Sequence, residues 1–448
     1  MKKSFRNIKI LRNWDIIWWI IFFIFLVIVH LRMTPFGDDL SFREALNDRS
    51  IMDYALFRYQ QWTSRQIIET LMVTLLKLPF TFWTFINFLL CMSVPASLQY
   101  LTGVGKNSRW ITICLFMLYP MNDMNSAGWC ATMMNYMWPL ALGLIALIPL
   151  KKILTGKKIF LYEIIISFFA LVYAANQEQV CAILLGIYTI GLGYCLFKRF
   201  RFKLYNKLLI LYFFNWISLV YILTCPGNFQ RKEAETHWFT DFKMLTLFDK
   251  MEIGFSSTMS AMLTFPLFFV TALVIAVLAC QKLKMGIYKV LCFVPVTVSA
   301  ICILADNLLK TDNDLRKILF PVGVYGTMGE LKYYKIVSYL PFLIYVLILV
   351  IFIVSIWFVM LDKLEQGLFA VVVFLGGFAS RVIMGLSPTV WVSAERTYIF
   401  LYFSIIYTGI VLYMETNQKN DSGCKSWILK YAIMGMALLN GWSLLSQI

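Results

Sequence analysis

Two neighbouring carboxylates, Asp38 and Asp39, stand in the stretch Thr34-Pro35-Phe36-Gly37-Asp38-Asp39, where proline and glycine impose a turn just beyond an apolar run. Adjacent carboxylates repel, so one of them holds a proton more tightly and the pair draws cations. That chemistry suits a general base or a site for a divalent cation. The alternative is architectural, with Asp39 capping a helix that begins near Ser41.

Four further groups carry polar side chains into an otherwise apolar chain. Gly128-Trp129 and Asn135-Tyr136-Met137-Trp138-Pro139 offer rings that stack on sugar faces and an amide and a phenol that bond hydroxyls; the same residues also suit anchoring at a membrane interface. Asn176-Gln177-Glu178-Gln179 places four polar residues between two apolar runs with no room for a loop, which is costly near a membrane unless they face a cavity. Cys225-Pro226-Gly227-Asn228 is a turn followed by Arg231 and Lys232, a pattern suited to anion capture or to a solvated loop. Arg381 lies near the end of an apolar run, and Arg396 closes Ser387-Pro388-Thr389-Val390-Trp391-Val392-Ser393-Ala394-Glu395-Arg396. A guanidinium fork matches a phosphate, although snorkelling or pairing with Glu395 or Glu178 would also satisfy such arginines.

The elements that must position these groups are membrane helices. Of the 448 residues, 60% are hydrophobic and only 14% charged, and the mean hydropathy is +0.74, outside the balance of a soluble domain. Apolar runs long enough to cross a hydrocarbon core of about 30 Å recur from residue 16 onward. They lack the alternation of a β-barrel, and an open sheet would leave backbone groups unpaired in lipid. The expected fold class is all-α: one polytopic transmembrane helix bundle over residues 1–448, with about 11–13 spans. Two of the shorter expected spans cover 110–121 and 159–176. Extracytoplasmic loops at 34–79, 225–257 and 306–335 are expected to carry the site, and Gln66 to Lys77 reads as an amphipathic interfacial helix with Ile67, Ile68, Leu71, Leu75 and Leu76 on its apolar face.

The net charge of +16 does not describe a nucleic-acid surface, because the basic residues form short clusters between apolar runs. Lys2, Lys3, Arg6, Lys9 and Arg12, then Lys151, Lys152, Lys157 and Lys158, then Lys198 and Arg199, punctuate every second gap, as do later clusters through Lys282, Lys363 and Lys430. The positive-inside bias therefore predicts a multi-pass protein of the cell membrane, N-terminus cytoplasmic, polar loops extracytoplasmic, its first helix an uncleaved anchor. The ten cysteines show no paired metal-ligand spacing; Cys130 and Cys225 both fall in outer loops, where a disulfide could form.

Asp38-Asp39 just after the first helix, an amphipathic helix from about Gln66 in the same loop, and alternating outer loops enriched in aromatics resemble the GT-C superfamily of integral membrane glycosyltransferases. Within it, the chain is similar to a poorly characterised bacterial family of related topology through the ordered set Gly37-Asp38-Asp39, Trp62 to Arg65, Trp129 to Trp138, Pro226-Gly227-Asn228 with Arg231, and Ser387-Pro388-Thr389 to Arg396. The resemblance implies a polyprenyl-phosphate-linked sugar donor, a cell-envelope glycan or lipid-linked acceptor, and inversion at the anomeric carbon. Asp38 or Asp39 would be the catalytic base; Arg231, Arg381 and Arg396 would hold the donor phosphate. Arg65, Trp129, Asn135, Tyr136, Trp138, Glu178 and Asn228 would contact sugar or acceptor. No cofactor is implied beyond a divalent cation at the carboxylates. A repeat-unit polysaccharide polymerase and a lipid-linked glycan flippase are the competing readings; the flippase is disfavoured because transporters place charges and broken helices at the bilayer midplane in repeated halves.

Overall fold

The computed structural model describes residues 13–200, 202–310, 313–327, 339–416 and 424–447. Among them there is no strand, only an isolated bridge between Gly323 and Gly326. Among the described residues ten helices are long and apolar enough to cross a membrane, or eleven if one bent pair counts as a span, against the 11–13 expected. The N-terminal basic stretch to Arg12 and the end of the 306–335 loop lie outside the described residues.

Helix α1 (Trp14–Arg32) is capped by Asn13, whose side chain accepts the Asp15 N–H. Trp18, Phe22, Phe25, Leu26 and Val29 recur at helical spacing and are buried, while Ile16, Ile20 and Phe23 are exposed. A helix apolar all round can turn one face to protein and the other to lipid. Three short helices follow, α2 (Asp38–Glu44), α3 (Ile51–Gln61) and α4 (Gln66–Leu76), before α5 (Phe80–Thr102). In α4 the expected apolar face is met in part: Ile68, Leu75 and Leu76 are buried, Ile67 and Leu71 are exposed, and Glu69, expected off that face, is enclosed beside Ile68 and Met72.

Helix α6 (Trp110–Met117) has only 8 residues, all buried, where the span 110–121 was expected. It is shielded from lipid by protein, so it needs no full hydrophobic length. Helix α7 (Trp129–Leu154) contains a π-helical stretch at Met133–Met137. After α8 (Leu161–Ala174, 14 residues, shorter than the expected 159–176) come α9 (Glu178–Phe197), α10 (Phe202–Thr224) and α11 (Pro226–Ala234).

Helices α12 (Leu247–Thr264) and α13 (Pro266–Lys282) meet at 72°. The residue before a proline is forced out of the helical region, and Phe265 at the break has φ −70° and ψ 123°. The corner is closed by Phe265 stacking on Tyr402 at 4.1 Å and by the Ser299 hydroxyl donating to the Leu263 carbonyl at 2.9 Å. Helices α14 (Ile287–Leu308), α15 (Asp314–Leu319), α16 (Tyr339–Val359), α17 (Leu361–Leu386), α18 (Ile399–Thr416) and α19 (Cys424–Gln447) complete the bundle. Almost every residue of α18 is buried, and α6, α13 and α17 surround it.

The two ends of the bundle differ. At one, here the basic end, Lys152 pairs with Glu163, Lys198 with Glu365, and Lys282 and Lys363 with Glu415. There too Lys430 lies over the Trp14 ring at 4.7 Å, and Asp15 accepts the N–H groups of Asn107 and Trp110. The polar segments singled out in the sequence gather at the opposite end. Cys130 and Cys225 do not bridge: the Cys225 thiol donates to the Tyr59 carbonyl at 3.3 Å and Cys130 faces Met134.

Candidate functional site

At the end opposite the lysine clusters, α2, α3, α4, α7, α9, α11, α17 and the 387–396 loop enclose a cavity of about 710 Å³. Asp38, Arg65, Asn135, Tyr136 and Glu178 line it, and so do Asn228, Arg231 and Arg396. Residues from positions 38 to 396 therefore converge. Asp39, Trp129, Trp138 and Arg381 do not reach it.

The two aspartates have separate tasks. Gly37 starts α2 with φ 55°, a left-handed value that glycine tolerates, and the Asp38 N–H donates to the Ala127 carbonyl at 2.8 Å. Asp38 is exposed into the cavity. Asp39 is fully buried and accepts the backbone N–H groups of Ala131 at 2.8 Å, Cys130 at 3.3 Å and Phe36 at 3.5 Å. It thus caps α7, a helix some ninety residues away, rather than the local helix expected from sequence. A Cβ on Gly128, at φ 118°, would lie 2.6 Å from an Asp39 oxygen, so only glycine leaves room for the cap. Burial pushes the Asp39 carboxyl above the ordinary range, against the opposing pull of its three backbone donors. Asp39 is unavailable as a base; of the pair, Asp38 alone faces the cavity.

The arginines divide similarly. Arg65 Nη2 lies 2.6 Å from Glu178 Oε2, Nε donates to the same oxygen at 2.8 Å and Nη1 donates to Asn135 Oδ1 at 3.1 Å. Its guanidinium lies over Tyr136 at 5.7 Å. Burial works against that charge, but Glu178 more than offsets it and keeps Arg65 protonated. Arg58 is likewise bidentate on Glu69, with Nη2 donating to Oε1 at 2.8 Å. Arg231 and Arg396 have no ion-pair partner among the described residues; Arg396 Nη2 donates only to the Ser393 hydroxyl at 3.2 Å, and its Nε has no partner. Glu178, not Glu395, is thus an arginine's partner, and that arginine is Arg65.

Arg381 departs from its expected role. It is fully buried under the 387–393 loop, over Tyr398 at 4.4 Å, with Nη2 donating to the Val390 carbonyl at 3.3 Å and Nε and Nη1 unpartnered. It braces the loop that carries Arg396. Trp129 and Trp138 are also buried, and the Trp138 indole N–H donates to Asn87 Oδ1 at 2.8 Å, so neither ring can stack on a sugar. The aromatic surface of the cavity comes from Phe42, Trp62 and Tyr136. Asn228 lines the cavity, but its amide is committed: Oδ1 accepts the Ser64 N–H at 3.1 Å, and Nδ2 donates to the Ser64 hydroxyl and the Ile222 carbonyl. Asn176 holds the same strand of chain from the other side, accepting from Ile68 and donating to the Ser64 carbonyl. These two amides fix the 62–65 turn, and with it Arg58 and Arg65.

Asn135 and Tyr136 fall within the π-helical stretch of α7, and such widened turns often mark functional sites because they displace side chains from the regular helical track. Sequence reasoning passed over Arg58, Glu69 and Glu235, all of which line the cavity. The Arg58–Glu69 pair had a signal in two opposite charges flanking Trp62 to Arg65, but only the fold-back of α3 on α4 joins them. The deep wall is apolar, with Ile183, Ile187, Ile190 and Val373 facing the middle of the bundle. Among the described residues no group of three or more His, Cys, Asp or Glu could hold a metal ion. No family model, curated protein or solved structure matches the chain.

Proposed function

We propose that this chain is a membrane glycosyltransferase that moves a sugar from a polyprenyl-phosphate-linked donor to a cell-envelope glycan. The observation that carries the proposal is one cavity holding an available carboxylate, two arginines without carboxylate partners, and aromatic walls, with an apolar floor. Asp38 takes the proton of an acceptor hydroxyl, whose oxygen attacks the anomeric carbon as the bond to phosphate breaks. The bonding pair leaves with the phosphate, and Arg231 and Arg396 stabilise the charge that develops there. A single displacement inverts the anomeric centre. The paired residues Arg65 and Glu178 present Asn135 and Tyr136 to the sugar, and the isoprenoid lies against Ile183, Ile187 and Val373. With the basic end toward the cytoplasm, the cavity opens extracytoplasmically, where envelope acceptors are found.

Against the transport reading, the bent pair α12 and α13 lines neither this cavity nor the apolar one described below. The test is release of polyprenyl phosphate by purified protein in nanodiscs supplied with polyprenyl-phosphate hexoses and envelope glycans. Asp38→Asn should lower the rate by about 10²- to 10⁴-fold, the usual worth of a general base. Undiminished activity in that variant removes the base assignment. Lipid translocation without bond formation would favour the flippase, and loss of long chains on disruption would favour the polymerase.

A further inference from the structure

A second cavity, of about 360 Å³, lies between α7, α9, α17 and α18 and opens at the basic end. Its lining on α9 runs from Val180 to Tyr194, about 21 Å at 1.5 Å per residue, which is less than a hydrocarbon core of about 30 Å. It is therefore as deep as one extended acyl chain, and its inner end lies within one helical turn of Glu178 and Gln179 of the larger cavity. Its walls are leucines, isoleucines and phenylalanines.

The mouth is polar and carries one uncompensated charge. Glu365 there is held by Lys198 at 2.7 Å and by the Tyr194 hydroxyl at 2.9 Å. Lys152, next along α7, is paired with Glu163. Lys151 lines the mouth half-buried, and among the described residues its ammonium has neither an ion-pair partner nor a hydrogen bond. A solvent-facing lysine needs no partner, but one enclosed beside an apolar shaft attracts an anion that brings its own hydrocarbon.

We infer that this cavity binds an anionic phospholipid from the leaflet at the basic end, its phosphate on Lys151 and one acyl chain in the shaft. The lysine and the mouth lie apart from the reacting groups of the transfer site, although the inner wall of the shaft is the one against which the isoprenoid was placed. Ile183, Ile187, Ile190 and Val373 also line the larger cavity, so the competing occupant is the isoprenoid chain of a polyprenyl phosphate entering from the other end.

Native mass spectrometry of delipidated protein titrated with dioleoyl phosphatidylglycerol, dioleoyl phosphatidylcholine or polyprenyl phosphate decides between them. One phosphatidylglycerol should be retained in preference to phosphatidylcholine. Lys151→Gln should weaken that binding about fivefold, the worth of one lysine near an anionic surface. Lys151→Arg should keep it and Lys152→Gln should leave it unchanged, whereas Leu144→Trp, which fills the shaft, should abolish it. Equal retention of phosphatidylcholine, or equal loss in the Lys152 variant, overturns the inference. One-for-one displacement of phosphatidylglycerol by polyprenyl phosphate also overturns it, by assigning the shaft to the isoprenoid.

Discussion

The two ends of the bundle treat enclosed charge in different ways. At the basic end the ammonium of Lys282 is only 6% exposed and meets Glu415 at 2.9 Å and Asp362 at 3.4 Å, while Lys363 takes the other Glu415 oxygen. At the cavity end Arg58 and Arg65 are neutralised in the same manner, by Glu69 and Glu178, but among the described residues Arg231 and Arg396 have no carboxylate within ion-pair distance. Removing charge from water without compensation costs several kcal/mol. A chain that pairs Lys152, Lys282 and Lys363, leaving Lys151 open at the second cavity, and leaves two arginines open in the larger one has kept those two for a ligand that brings the negative charge.

Removing both open arginines probes that contrast hardest. Arg231→Ala with Arg396→Ala should lower lipid-phosphate release by about 10²- to 10³-fold, the scale of losing an oxyanion donor, and leave the melting temperature in detergent unchanged. Lys282→Ala should do the reverse, keeping the rate and costing about 1–3 kcal/mol of stability because a buried Glu415 oxygen loses its donor. If the arginine variant unfolds instead, the arginines are structural and the contrast between the ends is lost.

The neighbouring aspartates sharpen the same division at one step along the chain. Asp39→Asn replaces an acceptor of three backbone donors by a group with one acceptor oxygen, and should lower stability by about 1–2 kcal/mol in thermal melts. Asp38→Asn should melt like the parent, which separates loss of catalysis from loss of fold. The Asn228 clamp comes next. Asn228→Ala should cost about 1 kcal/mol and loosen the 62–65 turn, which reads out as a raised KM with the melting curve little changed.

The smallest effect concerns Asp123, in the loop beside the segment that carries Arg396. Burial, and secondarily Glu395, push its carboxyl from the usual 3.8 to about 7. A carboxyl raised in the folded state binds more protons there than when unfolded, so stability falls as pH rises between those two values. Asp123→Asn should therefore melt higher than the parent at pH 8 and alike near pH 4. A pH-independent difference would mean that Asp123 titrates as an ordinary surface carboxylate.

Much of the architecture was legible because lipid imposes it. Apolar length and the spacing of lysine clusters reveal most of the spans, since a helix in hydrocarbon must satisfy every backbone group within itself. The exceptions are instructive. Helix α6 crosses less than a full span because its neighbours, and not lipid, surround it; in α4 Glu69, expected off the apolar face, is enclosed because it has a partner in Arg58. Of the site, polar segments beside apolar runs were visible, and so was their placement at one end. Trp138 and Arg381 gave the same polar and aromatic signal as Tyr136 and Arg396, yet they turn inward to Asn87 and Tyr398.

By itself, then, the amino-acid order determined an all-helical membrane bundle with short lysine clusters in every second gap and a carboxylate–arginine set in the gaps between them. The tertiary structure decided which members of that set meet. Consecutive residues on a helix point about 100° apart, so Asp38 and Asp39 cannot share a direction, and a contact between Asp39 and the start of α7 selects which one is enclosed. Partners distant in sequence, such as Arg65 with Glu178 and Asn228 with Ser64, exist only once the helices are stacked. Local sequence fixes what each residue is able to do, and packing fixes which groups are left free to do it.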